Sequence, residues 1–382
     1  MHFQPAHPSI WEKESFYRKR DIIIVGAGLS GLWAAYHLKK KQPNLSITIL
    51  ERGLIPAGAS TRNAGFACFG SLTELMHDRK TMGNDQMLSL VNMRYRGLKL
   101  IQQLFPATDI DFALCGGYEL ITGSDTITTD ELTYEMNTLN SQLAAVTAAK
   151  NTFSFSDQRI SAFGFAGLRH IIHSPNEGYL HSGKLCEQLG LLIQKMGVTI
   201  LTGINVNAHT KVNDHILITT DAGIQFKASR LLICTNAFAG SLIPGIDIEP
   251  ARGQVLLTAP VPNLPWQGTF HAEQGYYYFR NLGNRILLGG ARNTNFREEN
   301  TTEMTTSTGI QDALEHFLRT YILPDIDVRI TDRWSGIMAM GSDKHPIVRA
   351  VAPGVYCAVR MSGMGVALTP VTGEMAADLL LS

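Results

Sequence analysis

The hydrophobic pattern changes period along the chain, and each change marks an element. Residues 22–25 (IIIV) are continuously apolar and β-branched, as a parallel strand buried on both faces should be. A glycine turn follows, then a helical stretch from Leu29. Leu45, Ile47 and Ile49 then alternate with Ser46 and Thr48 in a second strand that ends at Glu51. From about 76 to 105 the period is helical, with Leu88, Val91, Leu98 and Ile101 among polar positions. Residues 114–122 predict strands around a Gly-Gly turn, and 129–149 a polar helix. Residues 182–196 predict an amphipathic helix with Leu185, Leu189, Leu192 and Ile193 on one face. It leads into a strand at 198–201 and alternating strands near 204–206 and 216–219. Two more continuous apolar runs, 231–234 and 355–359, predict further buried parallel strands. Between them, 250–290 is strand-rich with clustered aromatics and 309–318 is helical; a last helix is expected over 370–380.

Strand and helix patterns of the doubly wound kind thus occur at the start, middle and end, separated by mixed or β-rich stretches. At 382 residues the chain is too long for one compact core. The pattern predicts an α/β fold: a Rossmann-like nucleotide-binding domain built from three segments, 1–85, 176–246 and 331–382. A β-rich α+β substrate domain would come from 86–175 and 247–330. Composition narrows the classes further. Lys plus Arg equals Asp plus Glu at 33 each, so no global field draws nucleic acid or anionic lipid. The polar lead-in at 1–20 lacks the apolar core of a signal peptide. No run reaches the ~18 apolar residues of a membrane span. Five scattered cysteines (Cys68, Cys115, Cys186, Cys234, Cys357) show no C-x-x-C spacing, so neither a metal site nor a disulfide framework is expected. These features predict a cytoplasmic protein.

The chemistry starts at the first turn. Gly26, Gly28 and Gly31 form G-x-G-x-x-G between strand and helix. The first glycine permits the turn, the second lets backbone approach a pyrophosphate, and the third lets helix pack on strand. The pyrophosphate would face the amides and positive dipole end of the helix from Leu29 and Ser30. Glu51, about 20 residues on, would accept hydrogen bonds from ribose hydroxyls. Strand, turn, helix and acid in register predict a bound dinucleotide, without separating NAD from FAD.

The fingerprint at Gly26, the loop at 58–65 (GASTRNAG), the strand LLICTNA and the ending GVYCAVRMSGMGVALTPVTGEMAADLL resemble the FAD-dependent D-amino acid oxidase-like superfamily, which includes glycine and sarcosine oxidases. The lead-in SIWEKES and the A-S-x-R-N-x-G loop are similar to its γ-glutamylputrescine oxidoreductase-like branch. This resemblance, spanning nearly the whole chain, implies FAD as cofactor. It places Gly363, Met364, Gly365 and Val366 beside the flavin pyrimidine, where amides and a helix dipole stabilise the charge left by hydride arrival. Ala59, Ser60, Arg62, Asn63, Ala64 and Gly65 would run along the pyrophosphate and ring, Ala59 and Ser60 as amide donors and Arg62 against phosphate charge. Val206 would contact adenine through its backbone. Arg52, Thr235, Asn236 and Gly336 complete the implied cofactor set.

Departures from the family pattern carry their own expectations. Residues 335–340 (SGIMAM) have no cysteine where sarcosine oxidases attach flavin, and the ASTRNAG loop has no histidine, so FAD should be noncovalent. The lysine that activates oxygen in sarcosine oxidases aligns with Leu287, which leaves oxygen or a quinone-type molecule as the electron acceptor. On the substrate side, 275–280 (GYYYFR) reads as a strand with Tyr276, Tyr278 and Arg280 on one face and Tyr277 and Phe279 on the other. Two phenols and a guanidinium suit a small amine or amino acid. The expected activity is oxidation of a C–N bond by hydride transfer to flavin N5, with the imine hydrolysed afterwards. The alternatives are a catalytically inactive flavin-binding protein and an NAD(P)-linked dehydrogenase.

Overall fold

The run Ile22-Ile23-Ile24 is the centre of a parallel sheet, and each of the three is at most 1% exposed. Burial of each such side chain contributes about 1.5–3 kcal/mol. The computed structural model describes residues 8–382; the part of the expected polar lead-in that falls on residues 1–7 lies outside them. The described chain folds as two compact units. One takes the residues up to Thr61, Gly183–Pro250 and Met338–Ser382; the other takes Arg62–Ser182 and Ala251–Ile337.

In the first unit the strand order is Ile347–Ala352, Val355–Val359, Gln225–Ile233, Arg20–Val25, Ile47–Leu50, Thr199–Leu201. All neighbours from Val355–Val359 to Thr199–Leu201 are parallel. An antiparallel pair, Val206–Val212 and His215–Thr220, branches from Gln225–Ile233. The helix Leu29–Lys41 is buried almost all round because the helix Gly365–Leu381 packs on it. The contact is close: a Cβ on Gly373 would stand 2.7 Å from Trp33 Cβ and 2.8 Å from the Ala34 nitrogen. The last helix starts at Gly365, not near 370, and Pro370 lies inside it. Proline forfeits one backbone bond there, while its own carbonyl pairs with His37 Nε2 at 2.9 Å.

The second unit is built on a sheet ordered Ile330–Met340, Glu249–Thr258, Arg285–Gly290, Tyr277–Leu282, Thr269–Ala272, Gly117–Thr122, Leu168–Ser174, Ser154–Phe155. Thr269–Ala272 and Gly117–Thr122 run parallel. Period-two alternation sends Phe270, Tyr277 and Phe279 into an aromatic core with Trp266 and Phe317. Phe270 and Phe279 stack at 4.5 Å, Tyr277 and Phe317 at 4.4 Å. The other face carries a cross-strand row that register fixes: Glu119, His271, Tyr278, Gly289, Val255. The expected helix from 76 to 105 is two helices, Leu72–Met82 and Asn84–Leu104, broken at Gly83 with φ of 88°.

The unit boundaries differ from those expected. Residues 62–85, 176–182 and 331–337 belong to the second unit, and 247–250 to the first. Side-chain bonds account for it. Ser182 Oγ donates to Asn63 Oδ1 (2.6 Å), Arg62 Nε donates to the Ser335 carbonyl, and the Phe69 amide donates to Glu177 Oε1 (3.1 Å).

Candidate cofactor and substrate sites

In the first unit the fingerprint turn is built by close approach. Gly26 has φ of 106°, and a Cβ on Gly31 would lie 2.1 Å from the Gly26 oxygen. Glu51 is buried just past its strand; its Oε2 accepts the Ala27 amide (2.8 Å) and its Oε1 the Gly53 amide (2.9 Å). Ser60, expected as an amide donor, uses its hydroxyl to accept the Leu29 amide at 2.9 Å. The Ser30 hydroxyl donates to the Ala358 carbonyl (2.8 Å), tying the helix start to the Val355–Val359 strand. Arg52 lies over the Phe238 ring, 3.8 Å from its centroid. Val206 is buried at the start of its strand; nearby, the Ile204 amide donates to the Glu51 carbonyl at 2.8 Å. Ala59 opens a one-turn helix, Ala59–Arg62, inside the 58–65 loop. Thr235 and Asn236 follow the Gln225–Ile233 strand, and Met364 caps the helix that Gly365 and Val366 begin.

In the second unit Arg62, Asn63, Ala64 and Gly65 sit on the antiparallel sheet. Trp334 Nε1 donates to the Arg62 carbonyl (3.0 Å), and Gly336 admits Arg62, whose Cβ would stand 3.1 Å from a Cβ there. Asn63 Oδ1 accepts the Gly65 amide at 2.8 Å, closing the turn. Ala64 is buried with Val255, Leu257 and Leu287, against which Phe66, Tyr278 and Trp334 pack. Tyr278 meets Phe66 edge-on at 5.8 Å and lies across Gly289, where a Cβ would fall 2.5 Å from its ring. Burial raises the Tyr278 phenol to about 12.

Tyr276 departs from the expected grouping. Glu273, Gln274 and Gly275 have φ of 51°, 57° and 85°, so the strand starts only at Tyr277. Tyr276 instead packs against the aromatic core, edge-on to Phe296 at 5.8 Å. Arg280 is buried and already engaged. Its Nε donates to the Ala64 carbonyl (2.6 Å), its Nη2 to the Leu180 carbonyl (3.4 Å), and its guanidinium lies 4.5 Å from the Tyr179 ring centroid. Burial lowers it to about 10.

A family model described as FAD dependent oxidoreductase matches residues 21–379. The chain belongs to the FAD dependent oxidoreductase family. The probable oxidoreductase OrdL of Rhizobium meliloti (strain 1021) is 24% identical over 374 residues, covering 95% of this chain and 83% of the relative. The gamma-glutamylputrescine oxidoreductase of Escherichia coli (strain K12) is 24% identical over 381 residues, covering 94% and 83%. Among solved structures, glycine oxidase from Geobacillus kaustophilus superposes with a TM-score of 0.75 at 22% identity, covering 95% of both chains, and so shares the fold.

The residues of this family member fit FAD. Ser30 and Gly31 stand in the first turn of Leu29–Lys41, where amides lack intrahelical acceptors and suit phosphate oxygens. The Thr235 and Ser362 hydroxyls are buried without a hydrogen-bond partner. Among the described residues no helix is long and apolar enough to cross a membrane, and no group of three or more His, Cys, Asp or Glu is placed to hold a metal.

Sequence reading missed a set of buried ionisable groups in the second unit. Glu119 accepts from Ser71 Oγ (2.9 Å) and the Thr73 amide (3.0 Å), and burial holds it up at about 7. Glu177 presses on Gly117, where a Cβ would meet its Oε2 at 2.2 Å; burial raises it to about 8. His271 Nε2 lies 3.9 Å from Glu177 Oε2 with no hydrogen-bond partner, and burial lowers it to about 4. Arg94 is fully buried against Glu74 at 3.2 Å. The one local signal was the Gly116-Gly117 pair, read as a turn: its glycines make room for His173 and Glu177.

Proposed function

We propose that this family member oxidises the C–N bond of a small amine or amino acid. The family match over residues 21–379 carries the oxidoreductase reading. The names of similar proteins, gamma-glutamylputrescine oxidoreductase and glycine oxidase, favour amine and amino-acid substrates. Bound FAD supplies a hydride acceptor at N5; the chain supplies orientation and electrostatics. The substrate amine must lose a proton before its C–H hydride leaves. The wall of Phe66, Leu257, Tyr278, Leu287 and Trp334 is apolar and aromatic, so it disfavours a charged ammonium and favours the neutral amine. The imine product then hydrolyses in water. Tyr278 is the phenol that faces substrate, Arg280 holds the Ala64 backbone of the wall, and Tyr276 has no direct part. FAD binds noncovalently. The five cysteines are all free, as fits a cytoplasmic setting.

Anaerobic mixing with a panel of amines and amino acids tests this reading: bleaching of the flavin absorbance is expected with at least one. Protein that stays colourless after incubation with FAD would sink it. Bound flavin that no substrate bleaches would favour an inactive flavin-binding protein. The electron acceptor follows from Leu287, buried among Ala64, Val255 and Leu257. Its isobutyl group cannot stabilise superoxide as a cation would. Arg280 is bound to carbonyls, and Arg285 lies 3.8 Å from Asp332. A quinone or dye should therefore outpace oxygen. Stopped-flow mixing of substrate-reduced enzyme with aerated buffer checks this, and reoxidation as fast as dye-driven turnover would overturn it.

A further inference from the structure

Arg360 follows the Val355–Val359 strand, is 5% exposed, and takes a left-handed backbone with φ of 63°. Its Nε donates to the His345 carbonyl (2.9 Å), its Nη2 to Asp343 Oδ1 (2.7 Å), and its Nη1 to Asp247 Oδ2. Gly341 lets this clasp close, since a Cβ there would stand 2.6 Å from Arg360 Cδ. From the neighbouring parallel strand comes Asn236, also left-handed at φ of 45°. Its Oδ1 accepts the amides of Arg360 (3.1 Å) and Met361 (3.4 Å). The chain continues through Ser362 and Gly363, with φ of 46° and 81°, into the helix Gly365–Leu381.

Left-handed non-glycine residues persist only where their surroundings over-determine them. Here three such residues, Asn236, Arg360 and Ser362, stand just past the ends of adjoining strands, and the clasp on Arg360 holds them. What they present is unsatisfied. Ser362 is 8% exposed and its hydroxyl has no partner, while the first-turn amides after Met364 have no intrahelical acceptor. Both turns lie beyond the carboxyl ends of parallel strands, where open α/β sheets bind ligands.

We propose that Arg360 is a positioning residue for FAD: held by Asp247 and Asp343, it fixes the 360–363 turn so that the Ser362 hydroxyl and the helix-start amides serve the pyrimidine side of the flavin ring. The inference rests on the flavin reading above. Loss of the clasp would let the turn relax toward ordinary backbone angles, and the donors would lose their aim.

The experiment compares wild type with Arg360→Met, Arg360→Lys and Asp343→Asn. It measures FAD affinity by titrating apo-protein, the flavin reduction potential by dye equilibration, and apo melting temperature. Arg360→Met is expected to weaken FAD binding at least tenfold, to move the potential negative and to shift the visible flavin spectrum. Arg360→Lys should recover part of each loss. If Arg360→Met does not fold, Asp343→Asn decides by the same readouts, with a smaller loss expected. Variants that bind FAD like wild type, with unchanged potential and spectrum, overturn the inference alone. So does a drop in apo melting temperature that leaves the potential of bound flavin unmoved, since that marks a purely structural clasp. Wild-type protein that takes up no FAD overturns the functional reading and this inference with it.

Discussion

Buried polarity is handled differently in the two units. Around the parallel sheet it is set mostly against backbone. Glu51 takes the amides of Ala27 and Gly53, Lys39 Nζ donates to the Leu45 carbonyl, Arg20 to the Ser15 carbonyl, and His37 pairs with the Pro370 carbonyl. Around the antiparallel sheet side-chain partners join the backbone ones: Arg94 is set on Glu74, Arg252 on Glu299 and Glu119 on Ser71, while Arg280 and Glu177 keep to backbone carbonyls and amides. A backbone partner is fixed by the fold and survives substitution elsewhere. A side-chain partner is left charged or unpaired when its mate is removed. The second unit should therefore be the more sensitive to single changes of charge. Arg360, paired with two aspartates, is the exception in the first unit, and it is where a special function is inferred.

The sharpest break in this comparison is Arg94→Met, which removes the buried cation 3.2 Å from Glu74. A loss of about 3–5 kcal/mol is expected, largely recovered in the double variant with Glu74→Gln. Urea unfolding with a double-mutant cycle measures it, and additive losses would refute mutual dependence.

A pH series sharpens the same contrast. Glu177 is raised to about 8 and Glu119 to about 7 from an ordinary 4.5, so between those values the folded unit binds more protons than the unfolded chain. Stability is then greatest in acid and falls as pH rises through that window. His271, lowered to about 4 from 6.5, acts oppositely: its contribution is lost as pH falls through that range. Glu177→Gln should remove a decline on the order of 2 kcal/mol between pH 6.5 and 8. Melting temperatures across that range check it, and a slope equal to wild type would contradict the assignment.

In the first unit the expected losses come from backbone approach. Gly31→Ala places a methyl 2.1 Å from the Gly26 oxygen, and about 1–3 kcal/mol is expected together with weakened FAD binding. Smaller still is Ser60→Ala, which strips the Leu29 amide of its acceptor at a cost of about 1 kcal/mol. Chemical denaturation and FAD titration read both; a Gly31→Ala protein as stable as wild type would argue against the close turn.

The same contrast explains what could be read from sequence. Ile22 to Val25, the three glycines and Glu51 are near one another in the chain, and their spacing encodes strand, turn, helix and acid directly. The strand at 355–359 was legible because burial on both faces leaves a continuous apolar run. Tyr276 was misplaced because three left-handed residues, 273–275, delay the strand by two positions, and alternation carries no sign of them. The acids were invisible for another reason. Glu119 finds Ser71 at a separation of 48 residues and Glu177 finds Phe69 at 108, so beyond the Gly116-Gly117 pair little local distinguishes them from surface glutamates. Arg360 likewise meets Asp247 across 113 residues.

The packing of Gly365–Leu381 on Leu29–Lys41 has a consequence for synthesis. The helix that carries the fingerprint leaves the ribosome early, yet the surface that covers it belongs to the segment made after residue 338. Its strand, Arg20–Val25, likewise waits for Gln225–Ile233. The interrupting unit, whose last segment ends at Ile337, has all its parts sooner. Domains commonly fold in the order their chain emerges; here the nucleotide unit is begun first and closes last. Until then its apolar strand and helix are open to chaperones, and translation arrested before residue 338 would leave an assembled second unit joined to an unfinished first.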